Sequence, residues 1–190
     1  MLILKPTKVI MITIITLFAS PVFSEVSSDI TVTRTTKSDP IKVYLGGSFG
    51  NADYDVADNS DVGFSLFGGI KPWQSLGFEF AYVNLGETKS AGVTNTEFTL
   101  FRGGVIASHQ YSTGQLKNGL SIYGQIGLAT WDADSPVPNS GTDLYYGGGL
   151  IQSLGSSSSI RYAMDYYTFS GDTDDENVLF ISIGFQLKLN

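Results

Sequence analysis

The sequence predicts an all-β fold, an eight-stranded antiparallel up-and-down transmembrane β-barrel. After Pro40, apolar and polar residues alternate with period two in eight segments, the pattern of strands with two unlike faces. One face carries bulky aliphatic and aromatic residues, and the other carries Gly, Ser, Gln and a few charges. This distribution is expected when the bulky face meets lipid and the small face fills a narrow interior.

The N-terminal residues read as an export signal. Two lysines precede an uncharged apolar run at 9–19, and small residues lead to a cleavage site after Ser24. That run is too short for a helix to span a bilayer, which needs about 20 residues, so we expect 1–24 to be a cleaved signal peptide. Residues 25–40 are rich in Ser, Thr and Asp without an apolar period. They predict a flexible periplasmic arm before a barrel at 41–190.

The composition excludes several classes of function. The chain of 190 residues has no cysteine, which removes disulfides and thiol chemistry, and it has a single histidine. Its net charge of −7 leaves no basic face for phosphate backbones, so no nucleic-acid partner is expected. Without cysteine a zinc-thiolate site is excluded, and no cofactor is expected.

The first four segments have their bulky residues at alternate positions. The first three place on this face Ile41, Val43, Leu45 and Phe49, then Val62, Phe64, Leu66 and Ile70, then Leu76, Phe78, Phe80 and Tyr82. The fourth segment, at 97–107, is less regular. If Phe101 and Val105 face lipid, Arg102 faces the interior together with Phe98 and Leu100.

The last four segments alternate more cleanly. Their bulky faces hold Leu120, Ile122, Ile126 and Leu128, then Leu144, Tyr146 and Leu150, then Ile160, Tyr162, Met164 and Tyr166, then Leu179, Ile181, Ile183, Phe185, Leu187 and Leu189. An even number of strands and segments of about 10 residues are typical of outer-membrane barrels. Aromatic residues near strand ends predict interfacial girdles, formed by Trp73, Tyr82, Trp131, Tyr146, Tyr162 and Tyr166.

The connections predict an orientation in the membrane. Those after odd-numbered strands are read as loops at 51–61, 86–96, 132–143 and 171–177, and those after even-numbered strands as mostly shorter turns at 71–75, 108–119 and 155–159. The four loops and Glu97 contain 13 of the 18 acids and a single base, Lys89, whereas the turns contain no acid. Long loops lie outside the cell and turns in the periplasm. We therefore predict four acidic loops at the cell surface.

One stretch resembles a known family. Residues 63–87, GFSLFGGIKPWQSLGFEFAYVNLGE, are similar to the second and third strands of the OmpA-type transmembrane domain. The match falls on Leu76, Gly77, Glu79, Tyr82, Leu85 and Gly86. The segments SIYGQIGLATW, IRYAMDYYTF and LFISIGFQLKL resemble the family's fifth, seventh and eighth strands, so the resemblance covers residues 41–189.

The resemblance implies an outer-membrane barrel and a glutamate in its lumen, at Glu79, paired with a basic residue. The sequence departs from the family in two ways. We expect no counterpart of the C-terminal peptidoglycan-binding domain that full-length members carry. The terminal aromatic residue that the barrel-assembly machinery reads is replaced by Leu189 and Asn190.

Four charged residues are predicted to form a polar network in the barrel lumen. Glu79 and Arg102 lie on neighbouring strands and face inward by parity, and Arg161 and Asp165 share the inward face of the seventh strand. A buried charge needs a partner, and Arg102 facing lipid would cost about 2–4 kcal/mol. The network is read either as a plug that fixes the narrow core or as the gate of a small pore.

Two acidic runs are candidate surface contacts for a divalent cation or a partner. They comprise Asp53, Asp55, Asp58 and Asp61 in the first loop and Asp172, Asp174, Asp175 and Glu176 in the last. Hard cations take several oxygen ligands, but the spacing lacks the glycine and the final glutamate of an EF-hand loop. The alternative is that these carboxylates are only solvated and repel other anions.

The single histidine is a poor candidate for catalysis. Any Ser-His-acid triad must use His109, which is read as lying in the periplasmic turn after the fourth strand. Barrel enzymes that modify lipid A work at the outer-leaflet end, so this position predicts a solvated histidine.

These observations lead to one hypothesis and two alternatives. The first is a small, monomeric, non-enzymatic barrel with a structural role in the envelope and acidic loops for surface interaction. The alternatives are a narrow pore gated by Glu79 and Arg102, and a lipid A-modifying enzyme. The expected partners are outer-membrane lipid and lipopolysaccharide, the barrel-assembly machinery and an unidentified surface ligand.

Overall fold

The structure is a computed structural model that describes residues 41–55, 59–88, 96–111, 119–134, 139–170 and 175–189. Eight strands follow one another along the chain: β1 (Lys42–Tyr54), β2 (Asn59–Lys71), β3 (Leu76–Thr88), β4 (Thr96–Tyr111), β5 (Leu120–Asp134), β6 (Asn139–Ser153), β7 (Ser158–Ser170) and β8 (Asp175–Leu189). Within these ranges no helix has the length and apolar character that a membrane crossing requires. The predicted signal peptide (1–24) and arm (25–40) lie outside the described residues.

The strands form a closed antiparallel barrel in sequence order. The ring is completed by β1 and β8, which pair from Val43 with Leu189 to Tyr54 with Val178. Closure leaves no sheet edge, so the backbone groups of each strand bond to a neighbour on both sides, as a lipid environment requires. The predicted fold class is confirmed.

The two faces of the barrel differ as the alternation predicts. Phe49, Phe80 and Phe101 point outward and are 66%, 67% and 68% exposed. Residues at the alternate positions of the strands point inward, and among them Tyr44, Phe67 and other aromatic residues are almost fully buried. The outer surface is therefore apolar and suited to lipid, and the interior is filled by side chains.

The predicted loop lengths are wrong, because the strands continue into the polar segments. The connections that the structure leaves between strands are 55–58, 89–95, 135–138 and 171–174 at one end, which we call the loop end. They are 72–75, 112–119 and 154–157 at the other end, which we call the turn end. The two sets do not differ clearly in length, so length no longer indicates an orientation. The strands remain hydrogen-bonded to each other beyond the apolar band, where their outward residues are polar.

Trp131 was read as a girdle residue, but the structure places it inside the barrel with 3% exposure. It has the same parity in β5 as Tyr123 and Ala129, which also face inward. Inside the barrel its indole Nε1 donates a hydrogen bond to Asp143 Oδ2 at 2.7 Å. By contrast Trp73 is 58% exposed, as expected of a girdle residue.

One irregularity interrupts the pairing of β3 with β4. The register shifts between Asn84 and Glu87, and Gly86 within this bulge has φ of +79°. This is the left-handed region, which glycine adopts without steric cost. The backbone N–H of Glu87 donates to Asp61 Oδ2 at 2.7 Å, so the bulge is tied to β2.

Candidate functional site

A charged layer crosses the middle of the lumen. Glu79 comes from β3, Arg102 from β4, and Arg161 and Asp165 from β7. All four side chains face inward, and the residues are 1%, 4%, 2% and 2% exposed. The period-two geometry of each strand puts them there, since lipid-facing residues occupy the alternate positions. The structure thus brings the four predicted residues into one cluster, which we call the charged layer.

Two ion pairs connect opposite sides of the barrel. Arg161 Nη1 lies 2.5 Å from Glu79 Oε2, and Arg102 Nη1 lies 2.9 Å from Asp165 Oδ2. A longer contact of 3.5 Å joins Arg102 Nη2 to Glu79 Oε1. Two positive and two negative charges face each other, so the layer is neutral. Neutrality matters because an uncompensated buried charge is strongly destabilising.

Three uncharged polar residues complete the hydrogen bonding of this layer. The Tyr44 hydroxyl donates to Glu79 Oε2 at 2.9 Å, and Arg161 Nε donates to the Tyr123 hydroxyl at 2.8 Å. Gln125 accepts from Arg161 Nη2 at 3.2 Å and donates to Asp165 Oδ1 at 2.5 Å. The network therefore joins strands β1, β3, β4, β5 and β7. Sequence reasoning missed these three residues, although their parity already placed them on the inner face.

Aromatic rings pack against both guanidinium groups. The Arg161 guanidinium carbon lies 4.3 Å from the centre of the Tyr123 ring and 4.7 Å from that of Phe67. Arg102 lies 5.0 Å from the centre of the Tyr145 ring. Cation–π contacts stabilise a desolvated arginine by up to about 2 kcal/mol. They also fill the space that an open channel would need.

Some polar atoms in the lumen have no hydrogen-bond partner among the described residues. They include Arg102 Nε and the hydroxyls of Tyr145 and Tyr167, as well as Ser159 Oγ, Ser182 Oγ and Gln186 Oε1. Arg102 Nη1 also lacks an aligned acceptor, so its 2.9 Å approach to Asp165 is an ionic contact. The Arg102 side of the layer is therefore less completely bonded than the Arg161 side.

An aromatic layer closes the lumen towards the loop end. Phe98 stacks on Phe169 with ring centres 5.1 Å apart, and Trp131 lies 5.2 Å from Phe169. Tyr54 packs 5.8 Å from Phe98, and its hydroxyl donates to the carbonyl of Leu85 at 3.0 Å. We call these four rings, Tyr54, Phe98, Trp131 and Phe169, the aromatic layer. Of these four, the sequence predicted the inward direction of Phe98 and assigned Trp131 to a girdle, and it did not indicate that the rings form a layer.

The candidate surface acids are only partly described. Asp53 and Asp55 are exposed, Asp61 is half-buried, and Glu176 lies near the start of β8. Asp58, Asp172 and Asp174 lie outside the described residues, and the side chain of Asp175 is not described. Within the described part of the chain, no three His, Asp or Glu side chains converge to hold a metal ion.

His109 was predicted to lie in a turn, but it lies in β4, where it pairs with Ile122 of β5. The imidazole is exposed and packs edge-on against Tyr111 at 5.1 Å. Ser108 faces the opposite side of the strand, and its Oγ accepts a hydrogen bond from Lys71 Nζ at 2.9 Å. These adjacent residues therefore do not form a catalytic pair.

The fold and its site define a class of protein. A closed antiparallel barrel with an apolar outer face and a packed, ion-paired interior is a transmembrane β-barrel of the outer-membrane type. Residues 38–158 match the OmpA-like transmembrane domain family. The chain belongs to this family, as the resemblance predicted, and is an outer-membrane β-barrel. A comparison with the sequences of curated proteins gave no match.

Solved outer-membrane barrels have the same fold. Neisserial surface protein A is 18% identical with a TM-score of 0.59, covering 80% of this chain and 100% of that one. The attachment invasion locus protein Ail of Yersinia pestis, in complex with the heparin analogue sucrose octasulfate, is 15% identical with a TM-score of 0.53 and the same coverage. OprG of Pseudomonas aeruginosa is 11% identical with a TM-score of 0.51, covering 80% and 97%.

Proposed function

We propose that this protein is a small, non-enzymatic, monomeric barrel that contributes to the integrity of the outer membrane. The observation that carries the proposal is the filled lumen. The charged layer, with its hydrogen-bond partners, and the aromatic layer lie one above the other and are built from side chains of five of the eight strands, β1, β3, β4, β5 and β7. An eight-stranded barrel, such as a small OmpA-type barrel, has an interior just wide enough for side chains to fill. A filled interior supports a scaffold rather than a channel.

The loop end supports a role in surface interaction. All the charged residues described there are acidic, including Glu87, Glu97, Asp132 and Asp134. We place this end outside the cell, on the strength of its charge and of the family's architecture. Ail was crystallised with a polyanion. The acidic rim of this chain repels polyanions, so we propose cations and basic surface groups as its contacts. Lipopolysaccharide would then be reached through bridging divalent cations.

A narrow pore gated by Glu79 and Arg102 is the second candidate. The observation that favours it is the incomplete bonding around Arg102, whose contact with Glu79 is the longest in the charged layer at 3.5 Å. Conduction would require Arg102 to move and the aromatic layer to open as well. The two requirements together favour the structural role.

The test combines a cell assay with a conductance measurement. A deletion strain should become sensitive to detergent and to large antibiotics, and the wild-type gene should restore resistance. The purified protein should be silent in planar bilayers, and so should the Glu79→Ala variant. Discrete conductance steps that increase in Glu79→Ala, with unchanged detergent resistance in the deletion strain, would overturn the structural role in favour of the pore.

A further inference from the structure

Three lysines line one side of the barrel mouth at the turn end, on the adjacent strands β8, β1 and β2. Lys42 of β1 pairs directly with Lys71 of β2. Lys188 of β8 pairs with Tyr44, two residues from Lys42 on the other side of β1. Each of the three has the parity of the inward-facing residues, as Tyr44 and Gln186 do. We call this group, Lys42, Lys71 and Lys188, the lysine mouth.

The described residues at the turn end offer no carboxylate to neutralise this group, and the acids are concentrated at the loop end. The carboxylate next along the lumen is Glu79, which is already paired with Arg161 and Arg102. Like charges directly opposite each other on neighbouring strands are destabilising. The lysine mouth is therefore electrostatically prepared for an anion.

Buried polar groups beside the lysine mouth give an independent indication. Ser159 of β7 pairs with Gln186 of β8, one inward-facing position deeper than Lys188. The two residues are 0% and 5% exposed, and Ser159 Oγ and Gln186 Oε1 have no hydrogen-bond partner among the described residues. A buried polar group without a partner in the protein is normally satisfied by an ordered water, an ion or a ligand. Ser159 can donate to an anion oxygen, and Gln186 Oε1 can accept from a hydroxyl.

Ser108 of β4 is a third polar side chain at this mouth, and it contacts Lys71. Lys71 Nζ donates to Ser108 Oγ at 2.9 Å and lies 6.0 Å from the centre of the Tyr44 ring. These contacts hold the Lys71 ammonium on the lumen side of β2. The ammonium therefore contributes to the mouth rather than extending freely into solvent. A ligand that combines negative oxygens with a hydroxyl suits this mixture of ammonium, hydroxyl and amide groups.

We propose that the lysine mouth binds a phosphate group, with Lys42, Lys71 and Lys188 supplying the positive charge. Ser159 and Gln186 form the polar floor of the site. Lys42 is exposed and Lys71 and Lys188 are half-buried, so free phosphate can reach the mouth from water. Lipid-facing Val43, Leu187 and Leu189 lie beside these lysines on the outer surface and bring phospholipid headgroups to the same level. Lysines near an anionic membrane surface each contribute measurably to lipid binding. In the orientation proposed above, this end faces the periplasm, although the site itself does not depend on that orientation.

The experiment has two arms, one for each source of phosphate. In the first, inorganic phosphate is titrated into the folded, isotope-labelled protein in zwitterionic micelles at constant ionic strength, and amide shifts are followed by NMR. In the second, the protein is placed in phosphatidylcholine nanodiscs with and without phosphatidylglycerol, and co-purifying lipid is quantified by mass spectrometry. We expect saturable shifts around the lysine mouth in the first arm, enrichment of phosphatidylglycerol in the second, or both.

The variant K42Q/K188Q tests the site without disturbing the Lys71–Ser108 hydrogen bond. With each lysine contributing about fivefold, binding should fall about 25-fold. The matched control is Lys89→Gln, which removes a positive charge in the connection between β3 and β4 at the loop end, and it should bind as the wild type does. Migration of unheated and boiled samples on SDS gels verifies that each variant is folded.

The outcomes separate the sources and the proposal. Saturation by inorganic phosphate without enrichment of phosphatidylglycerol identifies a free phosphate site, and the reverse result identifies a headgroup site. If phosphate and sulfate produced the same shifts without saturation, the shifts would reflect general ionic screening, and the proposal would be overturned. Equal binding by wild type and K42Q/K188Q would overturn it as well, as would the absence of binding in both arms.

Discussion

Removing the carboxylate of Glu79 should destabilise the barrel strongly. In Glu79→Gln, Arg161 loses the anion 2.5 Å away and keeps only uncharged partners, among them the Tyr123 hydroxyl and the Gln125 carbonyl. Arg102 keeps Asp165 at 2.9 Å, so the charged layer changes from neutral to one excess positive charge. Breaking one partner of a buried pair costs about 3–5 kcal/mol. We expect a loss of this size in the free energy of unfolding.

The measurement is urea unfolding of the barrel in lipid vesicles, followed by tryptophan fluorescence. Trp131 is buried in the aromatic layer, so the part of the signal that comes from this residue reports on the interior. Trp73 is exposed at the turn end. The matched control is Glu87→Gln, an exposed glutamate of β3, which should change the stability by less than about 1 kcal/mol. The double variant E79L/R161M should lose less than Glu79→Gln, because it leaves no uncompensated charge.

The reasoning would be refuted if Glu79→Gln and Glu87→Gln had the same effect. It would also be refuted if E79L/R161M had a lower free energy of unfolding than Glu79→Gln. Losing the whole ion pair would then cost more than leaving Arg161 without its anion. In either case the energy attributed to the charged layer would have to come from packing.

Three further predictions concern other parts of the molecule. Trp131→Ala should lower the free energy of unfolding by about 3–5 kcal/mol, whereas the exposed Trp73→Ala should change it by less than about 1 kcal/mol, both measured in urea. Gly86→Ala should cost at least about 1–2 kcal/mol because φ is +79° there, while Gly155→Ala, with open space around its added methyl, should be neutral. Overexpression of the wild type or of His109→Ala should leave lipid A mass spectra unchanged.

The sequence predicted the fold and the inward direction of the charged residues from the same signal. Period-two alternation in β3, β4 and β7 separates the lipid face from the lumen, and this parity placed Glu79, Arg102, Arg161 and Asp165 inside. It could not show which cation pairs with which anion, because that depends on how the strands are staggered across the lumen. The strongest pairs join β3 to β7 and β4 to β7, and neither joins sequence neighbours.

The loop lengths and the aromatic layer were not predicted. At the loop end the outward positions of the strands are polar, as Asp53 and Asp132 are, whereas inward positions such as Tyr54 are apolar or aromatic. The apolar side therefore changes from the outer face to the inner face there, and the sequence reads as a polar loop although pairing continues. Trp131 was assigned to a girdle because of its position near a strand end. Its parity already placed it inside. Parity decides the face of a strand residue once the register is set, because a slip of one residue would move every side chain of the strand to the other face.

The pairing pattern of the charged layer has a consequence for assembly. Strands β1–β4 contribute Glu79 and Arg102, and strands β5–β8 contribute Arg161 and Asp165, so each half of the chain carries one charge of each sign. The two shortest ion pairs join one half to the other. These two ion pairs can form only when both halves have met across the lumen. Contacts that form late in folding slow unfolding more than they speed folding, so we expect the charged layer to slow the opening of a closed barrel.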